Sequence, residues 1–249
     1  MNILITNDDG INAIGIRILA KELSNIGKVT IVAPDRERSA SGHSITLHSP
    51  LRIVKTDIDD RVEAYMVSGT PNDCIKIALE SILDKKPDLI VSGINNGANL
   101  GTDILYSGTV SAAIEGGMHN IRSIAISASY DENKINYEGA KYYSCKLINF
   151  IMNLKDGLIF NVNIPSINKE DIKGILMTEL GIRKYKNKYL KREDPMGKNY
   201  YWLDGELMDI KNKINSDIKA IENKYISITP LYFDLTDYKS LEKLKKENI

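Results

Sequence analysis

The chain has 249 residues, with 33 Lys and Arg against 33 Asp and Glu and 43% hydrophobic residues. It is long enough to bury a sizeable core, and its even charge argues against a nucleic-acid duplex or an anionic membrane as the main partner. Two cysteines far apart, Cys74 and Cys145, lack any CxxC or Cys/His spacing, which argues against a disulfide scaffold and a structural zinc.

Ile3, Leu4 and Ile5 predict a short buried strand, ended at once by the turn residues Asn7, Asp8, Asp9 and Gly10. Ile16, Leu19, Ala20 and Leu23 then recur at helical spacing. A strand followed by a helix lifts the acid pair to the carboxyl end of an α/β unit, where open parallel sheets bind ligands. Two adjacent carboxylates repel each other unless a cation or proton neutralises them. In isolation, an Asp-Asp-Gly sequence is more often a solvated turn. Acids this near the start also argue against a signal peptide, and no apolar run reaches the ~20 residues of a membrane span. A cytoplasmic protein is expected.

Val29–Ala33 predicts a second buried strand, and the long polar loop 34–47 follows it. Loops of that length in compact domains are usually functional or disordered. Here Arg36 and Arg38 are candidate anion partners, with the hydroxyls of Ser39, Ser41 and Ser44 nearby. Residues 51–56 and 63–67 alternate like a strand pair, turning at Asp59 and Asp60. Thr70, Pro71 and Asp73 then fit the N-cap, first and third positions of a helix, which assigns Thr70 and Asp73 a structural role.

Residues 87–91 predict another buried strand, which runs into the glycine-rich segment SGINNGANLGTDILYSGTV. No GK[ST] follows its glycines and no GxGxxG is present, so P-loop and dinucleotide chemistry lose support. A small-residue helix starting at Ser107 offers Ser107, Gly108 and Thr109 as free N–H groups and hydroxyls, a setting that favours an anion such as phosphate. A plain N-cap at Ser107 would leave the same residues there.

Further strands at 121–128 and 158–164 flank a helix at 137–154, and this alternation predicts a parallel sheet covered on both faces. Beyond about residue 175, strands near 173–180 and 199–203 enclose a polar, aromatic stretch that looks like an arm. Elements at 214–222 and 225–230 and a charged terminal helix from Asp237 complete the chain.

In a doubly wound sheet, the loops carrying Asp8 and Asp9, Ser39 and Asn95-Asn96 can converge. Their ligand atoms are all oxygen, which selects Mg²⁺, Mn²⁺ or Ca²⁺ over zinc or copper.

NDDG at 7–10, APDRERSASGHSITL at 33–47, SGTPNDC at 68–74, SGINNGANLG at 92–101 and YSGTVSAAIEG at 106–116 stand in order. Together they resemble the SurE family, stationary-phase survival proteins that are metal-dependent 5′/3′-nucleotidases. REDPMGKNYYWLDG at 192–205 is similar to that family's arm, with Met196 in place of a basic residue. The resemblance implies a three-layer αβα, Rossmann-like fold, with residues 1–180 as catalytic core and 181–249 as arm and C-terminal elements. It implies one Mg²⁺ or Mn²⁺ per subunit on Asp8, Asp9, Ser39 and Asn95, with Asp8, Asp9 and Asn95 serving catalysis. Ser107, Gly108 and Thr109 would cradle phosphate, and Gly42 and His43 would face the nucleoside monophosphate. Relatives form homodimers or homotetramers through exchanged C-terminal elements, and the arm suits such an exchange.

Two rival readings stand beside this one. Asp8 as a nucleophile forming an aspartyl-phosphate is disfavoured, because that chemistry usually spaces its acids as DxD rather than side by side. A nucleotide or metal sensor would use the same pocket without turnover.

Overall fold

The computed structural model describes residues 1–130 and 135–247, without the Asn187 side chain. Along the chain come β1 (Asn2–Thr6), α1 (Ile14–Leu23), β2 (Lys28–Pro34), β3 (Ile53–Thr56), β4 (Glu63–Val67), α2 (Pro71–Ile77) and β5 (Leu89–Asn96). Then follow α3 (Gly108–Met118), β6 (Arg122–Ala128), α4 (Glu138–Met152), β7 (Ile159–Ile164) and β8 (Ile175–Met177). The last elements are β9 (Tyr185–Glu193), β10 (Asn199–Leu207), α5 (Asp217–Glu222), β11 (Ile226–Leu231) and α6 (Tyr238–Leu244).

Nine strands form one sheet in the order β3-β4-β2-β1-β5-β6-β7-β11-β8, parallel except for the pairs β3–β4 and β7–β11. The unbroken apolar run of β1 follows from burial on both faces. Ile3 and Ile5 pack with Leu19 of α1 and Leu147 of α4, whereas Leu4 packs with Ile75 of α2 and Ala112 of α3. The sheet therefore lies between two helical layers, as expected. Thr70 and Asp73 form the anticipated capping box, and Asp73 also accepts the N–H and hydroxyl of Thr46, at 3.0 and 2.6 Å. That second duty ties the long polar loop to α2.

From β1 the chain winds through β2 to β4 on one side, then restarts at β5 and continues to β7 on the other. The carboxyl ends of β1 and β5 thus border the point where winding reverses, the place for a ligand in such a sheet.

The C-terminal third divides its roles. The hairpin β9–β10 stands as its own two-stranded sheet, and every residue of β10 is exposed. Strand β11 instead enters the main sheet between β7 and β8, so residues after 181 also build the core. Among the described residues no helix is long and apolar enough to cross a membrane.

Candidate active site

The NDDG turn closes on itself, with Asn7 Nδ2 donating to the Gly10 carbonyl at 2.9 Å. Gly10 has φ +92°, and a Cβ there would lie 3.0 Å from the backbone carbon of Arg36. Only glycine allows the loop after β2 to come this close. It brings Ser39 beside Asp8, Asp9 and Asn95, and all four line one cleft of about 290 Å³.

Helix α3 clamps that cleft from below. Ser107 caps it, its Oγ accepting from the Val110 N–H at 3.1 Å. Thr109 gives Asp8 its hydroxyl hydrogen and also its N–H, the latter at 3.1 Å. The same hydroxyl lies 3.2 Å from Asn95 Oδ1, and one hydrogen cannot fully serve two acceptors. Thr109 therefore holds Asp8 in place. Ser107 has also committed its N–H, to Ile104 at 3.2 Å.

Burial drives the electrostatics. Asp8 is 5% exposed, and loss of solvent pushes its pKa up against the two Thr109 hydrogen bonds. Burial first, and the neighbouring Asp8 second, raise Asp9 to about 6, although the Asn96 N–H supports its carboxylate at 3.0 Å. Neither Lys nor Arg lines the cleft among the described residues. No group of three or more His, Cys, Asp or Glu gathers as a metal cluster among them either, and the hydroxyl of Ser39 and the amide of Asn95 are further oxygen groups lining the cleft. Two under-compensated carboxylates, a hydroxyl and an amide oxygen fit a hard divalent cation.

Gly42, His43 and Arg38 make contacts within the protein. Gly42 donates its N–H to Tyr106 O at 3.0 Å and accepts from Ser111 Oγ at 2.8 Å, so it fastens the loop to α3. His43 Nε2 lies 2.8 Å from Glu115 Oε2 and borders a separate apolar cavity of about 610 Å³ beside Tyr232 and Phe233. Arg38 is not free for an anion, because its guanidinium binds Asp35 at 3.0 Å and the Ser68 carbonyl at 2.9 Å.

Glu115 is 4% exposed and also meets Lys76 at 3.3 Å and His119 at 3.2 Å. The hydrogen bond from His43, aided by Lys76 and His119, brings its pKa from 4.5 to about 2 despite burial. Because the folded value is depressed, the stabilisation is present above 4.5 and lost as pH falls towards 2. Glu115→Gln is expected to cost about 2 kcal/mol at pH 7, less than a fully buried pair because the partners are half-exposed. Thermal melts at pH 7 and pH 3 check this, since the gap to wild type must shrink in acid.

Several positioning residues escape a reading of local pattern. Asn161 and Asn163 of β7 donate to the Asn99 carbonyl at 2.8 and 2.9 Å, and Asn163 Oδ1 accepts the Asn99 N–H at 2.8 Å. Buried Asp217 accepts the N–H groups of Gly101 and Gly181 at 2.7 and 2.8 Å. The glycine-rich loop beside Asp9 is thereby stapled to β7 and to the start of α5. The one local signal was Asn-Val-Asn, two polar side chains on one face of an apolar strand.

Comparison with known proteins agrees with this architecture. A family model described as Survival protein SurE matches residues 3–187. A protein of Alkaliphilus metalliredigens named 5′-nucleotidase SurE is 52% identical over 254 residues, covering 100% of this chain and 99% of that one. One of the same name from Crocosphaera subtropica is 48% identical, covering 98% and 94%. The crystal structure of the SurE protein from Aquifex aeolicus matches with a TM-score of 0.84 at 42% identity, over 99% of each chain. By sequence along its whole length and by fold, the chain belongs to the SurE family.

Proposed function

We propose that this SurE-family enzyme is a divalent-metal-dependent phosphomonoesterase, releasing phosphate from nucleoside 5′-monophosphates and also from 3′-monophosphates. The observation that carries the reading is the meeting of Asp8 and Asp9 with the N-terminus of α3 in one cleft at the switch point. Asp8, Asp9, Asn95 and Ser39 would hold one Mg²⁺ or Mn²⁺. When bound, the metal neutralises phosphoryl oxygens and acidifies a water.

The chain's own residues supply the rest. Thr109 fixes the Asp8 carboxylate, and Asn96 fixes that of Asp9. Gly108, the first residue of α3, lies against Asp8, where the positive end of the helix attracts an anion. Phosphate would meet the Gly108 N–H and the hydroxyl hydrogen left to Ser107, while Thr109 supports Asp8.

Phosphate release from a panel of nucleoside monophosphates tests this, with EDTA or with added Mg²⁺ or Mn²⁺, and with Asp8→Asn alongside. Turnover that requires both metal and Asp8 is expected. A folded protein that binds nucleotide but releases no phosphate under any metal would be a sensor instead.

The same reading includes a homodimer or homotetramer built through C-terminal elements. Exposed Tyr200, Tyr201 and Trp202 on β10 support it, as do Tyr232 and Phe233 beyond the main sheet. Sedimentation at micromolar concentration should give an oligomer, and a monomer there refutes this part.

A further inference from the structure

Glu37 is a cleft residue with no assigned role in the chemistry above. It lines the same cleft as Asp8, Asp9 and Asn95, and its Oε1 accepts the Ser39 hydroxyl hydrogen at 2.6 Å. Between the two, Arg38 donates its N–H to the Asp8 carbonyl at 2.7 Å, while its guanidinium is anchored on Asp35 and Ser68. The three-residue segment is therefore held in register with Asp8 itself.

A serine hydroxyl has one hydrogen and two lone pairs. A cation attracts the lone pairs and repels the hydrogen, so a neutral hydroxyl is a good ligand only when its hydrogen is committed elsewhere. We infer that Glu37 is a positioning residue of the metal centre, taking the Ser39 hydrogen so that the oxygen presents its lone pairs to the cation. Hydrogen bonds that orient ligands in this way are a general need of metal sites. Substitution by Gln keeps an acceptor oxygen and removes the charge, so the orienting role is separable from the charge.

The inference rests on the proposed metal dependence, and the test keeps the two apart. Mn²⁺ binding to the full chain is measured by titration calorimetry for wild type, Glu37→Gln and Glu37→Ala, each also in a Ser39→Ala background. Thermal melts confirm folding, which an exposed loop residue should not disturb. Glu37→Ala is expected to weaken Mn²⁺ binding ~10-fold or more. Glu37→Gln keeps an acceptor oxygen and should stay close to wild type. In the Ser39→Ala background, Glu37→Ala should have no further effect, the mark of one coupled unit. Equal losses in the Gln and Ala variants, or an undiminished loss without the Ser39 hydroxyl, would overturn the assignment in favour of bare charge. Wild-type binding with an indifferent Glu37→Ala overturns it too, and leaves the metal reading standing. A wild type that takes no Mn²⁺ removes both.

Discussion

Asp9→Asn is expected to raise the melting temperature of the metal-free protein while lowering phosphate release ~10³-fold, a loss of about 4 kcal/mol of transition-state stabilisation. The two effects have one cause. Burial and the neighbouring Asp8 raise Asp9 from 3.8 to about 6, so the folded protein prefers this group protonated. A carboxyl bound more tightly to its proton in the folded state destabilises the fold when it ionises. That destabilisation is absent below about 3.8, grows as pH rises to about 6 and is complete above it. At pH 8 the shift amounts to at most about 3 kcal/mol, or a gain of up to ~10 °C for Asp9→Asn. The amide still accepts the Asn96 N–H but carries no charge to attract a cation. Added Mn²⁺ should therefore stabilise wild type and leave the variant unmoved. Melts of both proteins at pH 4 and pH 8, with EDTA or Mn²⁺, decide the matter. A variant no more stable than wild type at pH 8 would mean the acid pair is not strained.

Gly108→Ala is expected to cost ~10² in kcat/KM with a much smaller change in stability, because it disturbs position rather than packing at large. A Cβ at this residue would stand 2.8 Å from Asp8 Cβ, 2.9 Å from Asp8 Oδ2 and 2.7 Å from Ser41 Oγ. Those distances are too short to persist, so something must shift. Asp8 is held by both hydrogen bonds of Thr109 and by the turn at Asn7, and moving it moves the centre of the site. Steady-state kinetics with saturating metal, beside a thermal melt, separates the two effects. Near wild-type turnover would show that the helix start tolerates a side chain.

The residues that made the fold legible act locally. Ile3 to Ile5 followed by the spacing of Ile16, Leu19 and Leu23 announced a strand and then a helix, and both packed as read. Thr70 with Asp73, and Ser107 at its helix start, are caps whose partners lie within three residues. The acid pair was also evident, because two adjacent carboxylates at a strand end are costly enough to suggest a cation. Sheet topology allowed the loops of Ser39 and Asn95 to converge on it, and the resemblance to a family implied which of their residues join the acid pair.

What tertiary structure alone decided are contacts between residues far apart in sequence. The resemblance implied that His43 faces the substrate, and the fold sets its Nε2 against Glu115, 72 positions away. Thr109, expected at a helix start that favours an anion, gives its donors to Asp8 across 101 positions. Asp217 reaches back 116 positions to Gly101, and β11 slots between β7 and β8. The physical reason is the same throughout. Periodicity and caps are properties of one segment, set by the chain's own geometry. The order of strands and the inward angle of a helix depend on how whole layers pack, and they choose which distant polar groups share a cleft. Sequence by itself determined the layers and pointed to a cleft lined by oxygen atoms. The fold decided which oxygens meet there, and which residues hold them.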